Sequence, residues 1–334
     1  MTGKRAMTLY EIAALAGTSK STVSRVLNGG DKVSAPVRDR VAAVIEQHHF
    51  MPSIAARTLS RGRKNLIAVI AGGIGDGYFA RVIRGIDIEA ENRNNHLLCS
   101  FGRDDEAFLS LWQSMAQQHP VDGIVLVAPP RRVLDAGCRC RVPVVLCSAR
   151  PEPGGGWERA GTVTADNVAG FMYLLAYLYR HGQRDLVHVA GPDGDYDAGA
   201  RRQAFEQFVT AHPDCRGRVL VAGKSRAAGE RAMTAFLQSR PVPEALVCYN
   251  DATAVGVREA IRSFGCETLP VITGCDGSAM AEILHFPTLE MPCEEIGREA
   301  AVMLFDRIAG TATEPEHRRL PMPLQCNGFE FSVN

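Results

Sequence analysis

Apolar and polar residues follow two different rhythms along this chain, and the change falls near residue 65. Before it, apolar residues come in small groups at helical spacing: Ile12, Ala13 and Ala16, then Val23, Val26 and Leu27, then Val37, Val41, Val44 and Ile45. Each group predicts a short helix with one buried stripe. After it, short apolar runs alternate with longer amphipathic stretches. The runs predict strands at Leu66 to Ala71, His96 to Phe101, Gly123 to Ala128, Val142 to Ser148, Leu186 to Ala190, Arg218 to Val221, Ala245 to Tyr249 and Val271 to Gly274. Helices are expected between them, among others at Phe79 to Asn92, Val168 to His181, Arg201 to Ala211 and Ala252 to Phe264. Repeated βα units make parallel sheets with helices on both faces. There are too many for one modest sheet, and "RPEPGGGWERAG" interrupts them, so two similar lobes are expected with a ligand cleft at the carboxyl ends of their strands.

The first segment has specific turn chemistry. Thr8 and Glu11 form a capping box, Gly17 suits the left-handed residue that ends a helix, and Ser19 caps the next helix from Lys20 to about Leu27. Two helices joined so tightly form a helix-turn-helix, with small Ala13 allowing close approach and Val23 filling the angle. Ser34 is expected to cap a third helix, with Pro36 in its first turn. The stretch from Pro52 to Gly62 is short, basic and capped by Ser53. Isolated helices under ~12 residues are marginal in water, so something else must order it.

Charge sharpens the division. The whole chain of 334 residues is formally neutral, yet residues 1–64 hold eleven basic and four acidic side chains, a net +7 that leaves −7 for the rest. A small basic head on an acidic body points to a polyanion partner for the head. No apolar run approaches the ~18 residues of a membrane span, and the amino end lacks the apolar stretch of a secretory signal, so a cytoplasmic protein with no membrane partner is expected. Ten cysteines are scattered. Only Cys138 and Cys140 lie close, and without a second pair they predict reduced thiols rather than a metal site. No cofactor and no catalytic residue is expected.

"TLYEIAALAGTSKSTVSRVLNGGDKVS", "PSIAARTLSRGRKNLIAVI", "HVAGP", "YNDATAVG" and "EIGREAA" together resemble the LacI/GalR family of bacterial transcription regulators. The resemblance covers essentially the whole chain in order, and the head motif carries most of its specificity. It implies a homodimer with a small all-α helix-turn-helix head, a hinge helix that folds on DNA, and an α/β two-lobed periplasmic-binding-protein-like domain. The expected divisions are 1–51 for the head, 52–64 for the hinge and linker, and 65–334 for the effector-binding and dimerisation domain. Because lobes of that fold exchange strands, lobe 1 is expected at about 65–163 and 290–322, and lobe 2 at about 164–289 and 323–334.

Position by position, the resemblance implies that Lys20, Ser21 and Arg25 read base edges of a near-palindromic double-stranded operator. Thr8, Tyr10, Ser19, Thr22, Ser24 and Asn28 are expected near phosphates. Arg25 can fork onto guanine O6 and N7, and small hydroxyls can donate to backbone oxygens. In the hinge, Ala55, Ala56 and Leu59 lie on one face by helical spacing, so two copies in a dimer are expected to pair through the small residues, Ala56 among them, and push both Leu59 side chains into the minor groove. In the cleft it singles out Asp166, Arg201, Asn250 and Asp276 over the ring of Tyr78 or Phe79, a set suited to a sugar or sugar derivative. Asp166 and Asp276 can also be read as helix caps, and Arg201 as an exposed helix residue.

The chain departs from the family in three places. Asp76-Gly77-Tyr78-Phe79 stands where Asn-Pro-Phe-Phe is usual, Gly274-Cys275-Asp276-Gly277 where Gly-Phe-Asp-Asp is usual, and "QCNGFEFSVN" lacks the usual ending and any leucine heptad, so tetramers through a terminal bundle are not expected. The expected function is a repressor whose operator affinity a bound effector lowers. An activator or corepressor-dependent regulator of the same build is the alternative. An NAD-dependent oxidoreductase fits poorly, because "GGIGDG" is short of G-x-G-x-x-G. A non-regulatory sugar-binding protein leaves the basic head unexplained.

Overall fold

The computed structural model describes residues 7–27, 33–48, 50, 64–73, 77–118, 121–265 and 269–331. They fall into two compact units, residues 1–65 and 66–334.

The head is built from α1 (Leu9–Leu15), α2 (Lys20–Leu27) and α3 (Ala35–Gln47). Thr8 opens α1 with both halves of a capping box: its backbone N–H donates to Glu11 Oε2 at 2.6 Å and its Oγ1 accepts from Glu11 N at 3.4 Å. Gly17 takes the left-handed conformation, φ 59°, that turns the chain into α2. Ile12, Ala13, Ala16, Val23, Val41 and Phe50 form one small core. Ser34 occupies the cap position of α3 but its side chain makes no capping bond there, so Pro36 in the first turn is what marks that start.

The body holds two six-stranded sheets. The first, in the order β11-β5-β4-β3-β1-β2, is built from β1 (Leu66–Ala71), β2 (His96–Phe101), β3 (Gly123–Val127), β4 (Val144–Cys147), β5 (Gly161–Ala165) and β11 (His317–Leu320). The second, in the order β12-β10-β9-β8-β6-β7, contains β6 (Asp185–Ala190), β7 (Arg216–Val221), β8 (Ala245–Cys248), β9 (Val271–Asp276), β10 (Thr288–Glu290) and β12 (Leu324–Gln325). All neighbours are parallel except β12, which runs antiparallel to β10. Central strands are apolar on both faces because helices cover both. In β1, Ile67, Val69 and Ala71 face one core while Ala68 and Ile70 face another.

The covering helices are α4 (Gly77–Asn92), α5 (Asp105–Gln118), α6 (Arg131–Ala136), α7 (Asn167–Arg180), α8 (Tyr196–Ala211), α9 (Arg226–Leu237), α10 (Asp251–Ser263), α11 (Ala279–Ile283) and α12 (Cys293–Ala309). Two helix pairs touch backbone to backbone. A Cβ on Gly85 of α4 would lie 2.0 Å from the Glu294 carbonyl oxygen of α12, and one on Gly256 of α10 would lie 2.0 Å from that of Arg226 in α9.

The chain passes between the lobes three times: after β5 at Asp166, after β10 at Met291 and Pro292, and after β11 at Pro321 to Pro323. The passages are tied together. Asp166 N donates to Leu320 O at 2.7 Å, and Glu290 N to Pro323 O at 2.8 Å. Strand β5 is one the hydropathy pattern does not predict, since Gly161 and two threonines break its apolar run. It is nevertheless buried throughout, because β4 and β11 flank it and Gly161 makes room for the Met303 sulfur.

Candidate functional site

In the head, Lys20, Ser21 and Arg25 are exposed on α2, with Ser24 half-buried beside them, while Val23 anchors the opposite face. Ser19 caps the helix, accepting from Thr22 N at 3.2 Å, and its hydroxyl also bonds those of Ser21 and Thr22 at 2.8 and 2.9 Å. Tyr10, 69% exposed on α1, lies under the Lys20 ammonium at 4.8 Å from the ring centroid. That contact restrains a side chain that would otherwise sample many rotamers. The head therefore gathers Thr8, Tyr10, Ser19, Lys20, Ser21, Thr22, Ser24 and Arg25 around one helix-turn-helix. Asn28, Ala56 and Leu59 lie outside the described residues.

In the body, the carboxyl ends of both sheets face one cleft. Its innermost hollow, about 40 Å³, is lined by Tyr78, Phe79, Arg201, Asn250 and Asp276, and also by Ala128, Asp195, Asp197, Lys224, Tyr249 and Met291. It adjoins an outer cleft of about 520 Å³ that shares Phe79, Ala128, Asp195 and Lys224. The outer cleft, unlike the inner hollow, falls in the range of small-molecule sites, about 300–1,000 Å³. Asp166 stands apart. It lines a neighbouring hollow with Arg150, Tyr196 and Arg319, and its carboxylate caps α7 by accepting from Ala169 N at 3.2 Å. Asn250 reaches the inner hollow but also caps α10, accepting from Thr253 N at 2.8 Å.

Arg201 is not an exposed helix residue: it is 2% exposed and sits at the centre of a network. Its guanidinium donates to Asn167 Oδ1 at 2.8 Å, to the Tyr249 carbonyl at 2.6 Å and to the Met291 sulfur at 3.3 Å. Asn167 in turn donates to Asp197 Oδ1 at 2.8 Å. Burial works against the Arg201 cation, yet Cys275, Tyr249, Asp197 and Asp276 together push its pKa above the ordinary arginine value. Burial also raises the Cys275 thiol and the Tyr249 phenol, so both are neutral near pH 7 and the two carboxylates supply the field. The Asp197 carboxyl is raised by burial against the opposing pull of Arg201. Burial pushes the Asp195 carboxyl up as well, but Lys224, 2.6 Å away, brings it below the usual range.

Three non-glycine residues with positive φ stand at strand ends along this cleft: Ala128 (φ 46°), Ser148 (φ 48°) and Asp276 (φ 154°). Such conformations cost of order 1–3 kcal/mol each and cluster at functional sites. Ser148 accepts from the Tyr78 hydroxyl at 2.6 Å, which fixes that ring. Asp195, Asp197, Lys224 and Tyr249 are lining residues that motif comparison did not name. They follow β6, β7 and β8, so the rule that ligands bind beyond strand carboxyl ends points to them. Among the described residues no group of three or more His, Cys, Asp or Glu side chains could hold a metal ion, and no helix is long and apolar enough to cross a membrane.

Comparison with known proteins agrees with both halves. Residues 8–53 match the family described as bacterial regulatory proteins, lacI family, and residues 175–325 match the periplasmic binding protein-like domain. The HTH-type transcriptional regulator CelR of Thermobifida fusca is 30% identical over 94% of this chain and 96% of its own length. A solved CelR–cellobiose complex superposes with a TM-score of 0.69 at 26% identity, covering 96% of this chain and 98% of that one. The lac repressor dimer bound to operator and the anti-inducer ONPF shares the fold, with a TM-score of 0.82 at 21% identity over 96% of this chain and 98% of that one. A helix-turn-helix head with an exposed cationic helix, joined in one chain to two α/β lobes around a polar cleft and matched along nearly its whole length, belongs to the LacI family of bacterial transcriptional regulators.

Proposed function

We propose that the protein is a homodimeric repressor that binds a near-palindromic operator and releases it when a small sugar-like molecule occupies the cleft. The observation that carries this reading is that side chains of both lobes, Tyr78 and Phe79 from one and Arg201, Asn250 and Asp276 from the other, face a single hollow. A ligand held by both lobes favours their closed arrangement, and only a ligand with different affinities for two arrangements can shift them. A coupling of ~1–3 kcal/mol weakens operator binding about 5- to 150-fold. Since a structural neighbour is a complex with cellobiose, a disaccharide of that kind is the first ligand to test.

The experiment selects bound fragments from genomic DNA and measures their affinity by fluorescence anisotropy, with and without cellobiose and a panel of other sugars, sugar phosphates and nucleosides. Weakened binding with a compound that also raises the melting temperature supports the reading. Tightened binding replaces it with corepression. A compound that binds the body and leaves operator affinity unchanged refutes the coupling.

A further inference from the structure

Helix α4 belongs to the first lobe, yet one of its side chains reaches into the second. Arg81 donates from one guanidinium nitrogen to the Asp276 carbonyl at 3.2 Å and from the other to the Met291 carbonyl at 3.3 Å. Asp276 ends β9, and Met291 lies on the second passage between lobes. Each carbonyl also accepts a backbone bond of that passage: Met291 N to Asp276 O at 3.4 Å, and Cys293 N to Met291 O at 2.8 Å. A planar fork with fixed donor directions suits two fixed acceptors, as a single ammonium does not. Asp276 is also one of the strained residues at the hollow, with φ 154°, and the Arg81 bond holds the carbonyl of that residue. Met291 is gripped from the other side as well, its sulfur accepting from Arg201.

We propose that Arg81 is a positioning residue: it clasps the two lobes together and fixes the Asp276 backbone so that its side chain faces the hollow. The inference rests on reading the hollow as the effector site only for its regulatory meaning, which is that a ligand entering or leaving must break the clasp. Arg81 then sets how often the cleft opens. Tyr78 and Arg81 lie three residues apart and therefore on one face of α4, so the same helical turn supplies both an aromatic wall and the clasp.

The test is hydrogen exchange on the full-length, ligand-free protein, comparing wild type with Arg81→Met and Arg81→Lys. Arg81→Met is expected to speed exchange of the Met291 and Cys293 amides about ten-fold or more, because charge-assisted bonds to their acceptor carbonyls are gone. The interior amides of β3 and β8 are expected to stay unchanged. Arg81→Lys keeps the charge but not the fork and is expected to leave most of the acceleration in place. Unchanged exchange at Met291 and Cys293 in folded Arg81→Met overturns the proposal. So does a uniform rise across the body, which would make Arg81 a general stabiliser. Because exchange is read without ligand, it decides the clasp even if no sugar proves to bind, a result that would refute only the function proposed above.

Discussion

Truncating Arg201 to alanine is expected to damage the fold of the body, not merely its response to a ligand. The change leaves Asn167 Oδ1 and the Tyr249 carbonyl without their donor and Asp197 without its cationic neighbour, all of them buried. Removing one partner of a buried charged network costs about 3–5 kcal/mol, a large part of a typical total of about 5–15 kcal/mol. At ~2–4 °C per kcal/mol for a domain of this size, the melting temperature falls by roughly 6–20 °C. Trp112 and Trp157, stacked at 5.3 Å, are the two tryptophans and both lie in the body, so their fluorescence reports its melting apart from the head. The pH dependence supplies a second check. Asp197 has a raised folded pKa and so binds protons more readily folded than unfolded, and its contribution to stability falls as pH climbs through that folded value. Without Arg201 the carboxyl rises further, so Arg201→Ala should recover part of its deficit as the pH is lowered through that raised value. A melting temperature within about 2 °C of wild type, or a deficit that stays constant across an acid titration, would refute this account of Arg201.

Other outcomes follow from single contacts. Gly85→Ala forces a Cβ onto the Glu294 backbone and should destabilise by about 1–3 kcal/mol, whereas Gly199→Ala, with open space around its Cβ in α8, should stabilise by about 0.5–1 kcal/mol; paired urea titrations check the contrast. Lys224→Met should lower the melting temperature at neutral pH, since the depressed Asp195 carboxyl contributes stability above its unfolded pKa of about 3.9. Wild type should lose that contribution as pH falls through the depressed folded value, and an acid titration of the variant should lack the step. Arg25→Ala should cost ~1–3 kcal/mol per contacted base pair on a cognate operator and less on scrambled DNA, and equal losses on both in an anisotropy titration would count against a base-reading role.

What could be read from the chain without coordinates depended on how local the cause was. The capping box at Thr8 and Glu11, the left-handed Gly17 and the doubly buried run of β1 are written in neighbouring residues, and the structure has them where the pattern predicts. Strand β5 was not legible, because what buries its threonines is β11, about 150 residues away in the chain. The cleft was half legible. Arg201 stood out by motif, but its burial depends on Asn167, Tyr249 and Met291, which sequence gives no reason to bring together. Asp166 drew attention as a carboxylate after a strand, where a helix cap and a ligand contact look the same. Arg81 carried no signal, since its partners are main-chain carbonyls that every residue possesses.

The three passages between the lobes also have a consequence for synthesis. Neither lobe is a continuous stretch of chain: the first sheet waits for β11 at His317–Leu320, and the second for β12 at Leu324–Gln325. A growing polypeptide emerging from the ribosome amino end first can order five strands of the first sheet early, then must hold that edge unpaired while more than 150 residues follow. One edge strand of each sheet is thus supplied within a single stretch of nine residues, after the other strands of both sheets. A chain stopped between β10 and β11 leaves β5, a strand buried throughout in the complete fold, and β10 as sheet edges, and unpaired edges are templates for aggregation. Truncated products of that kind should therefore aggregate or be degraded rather than accumulate as a working lobe.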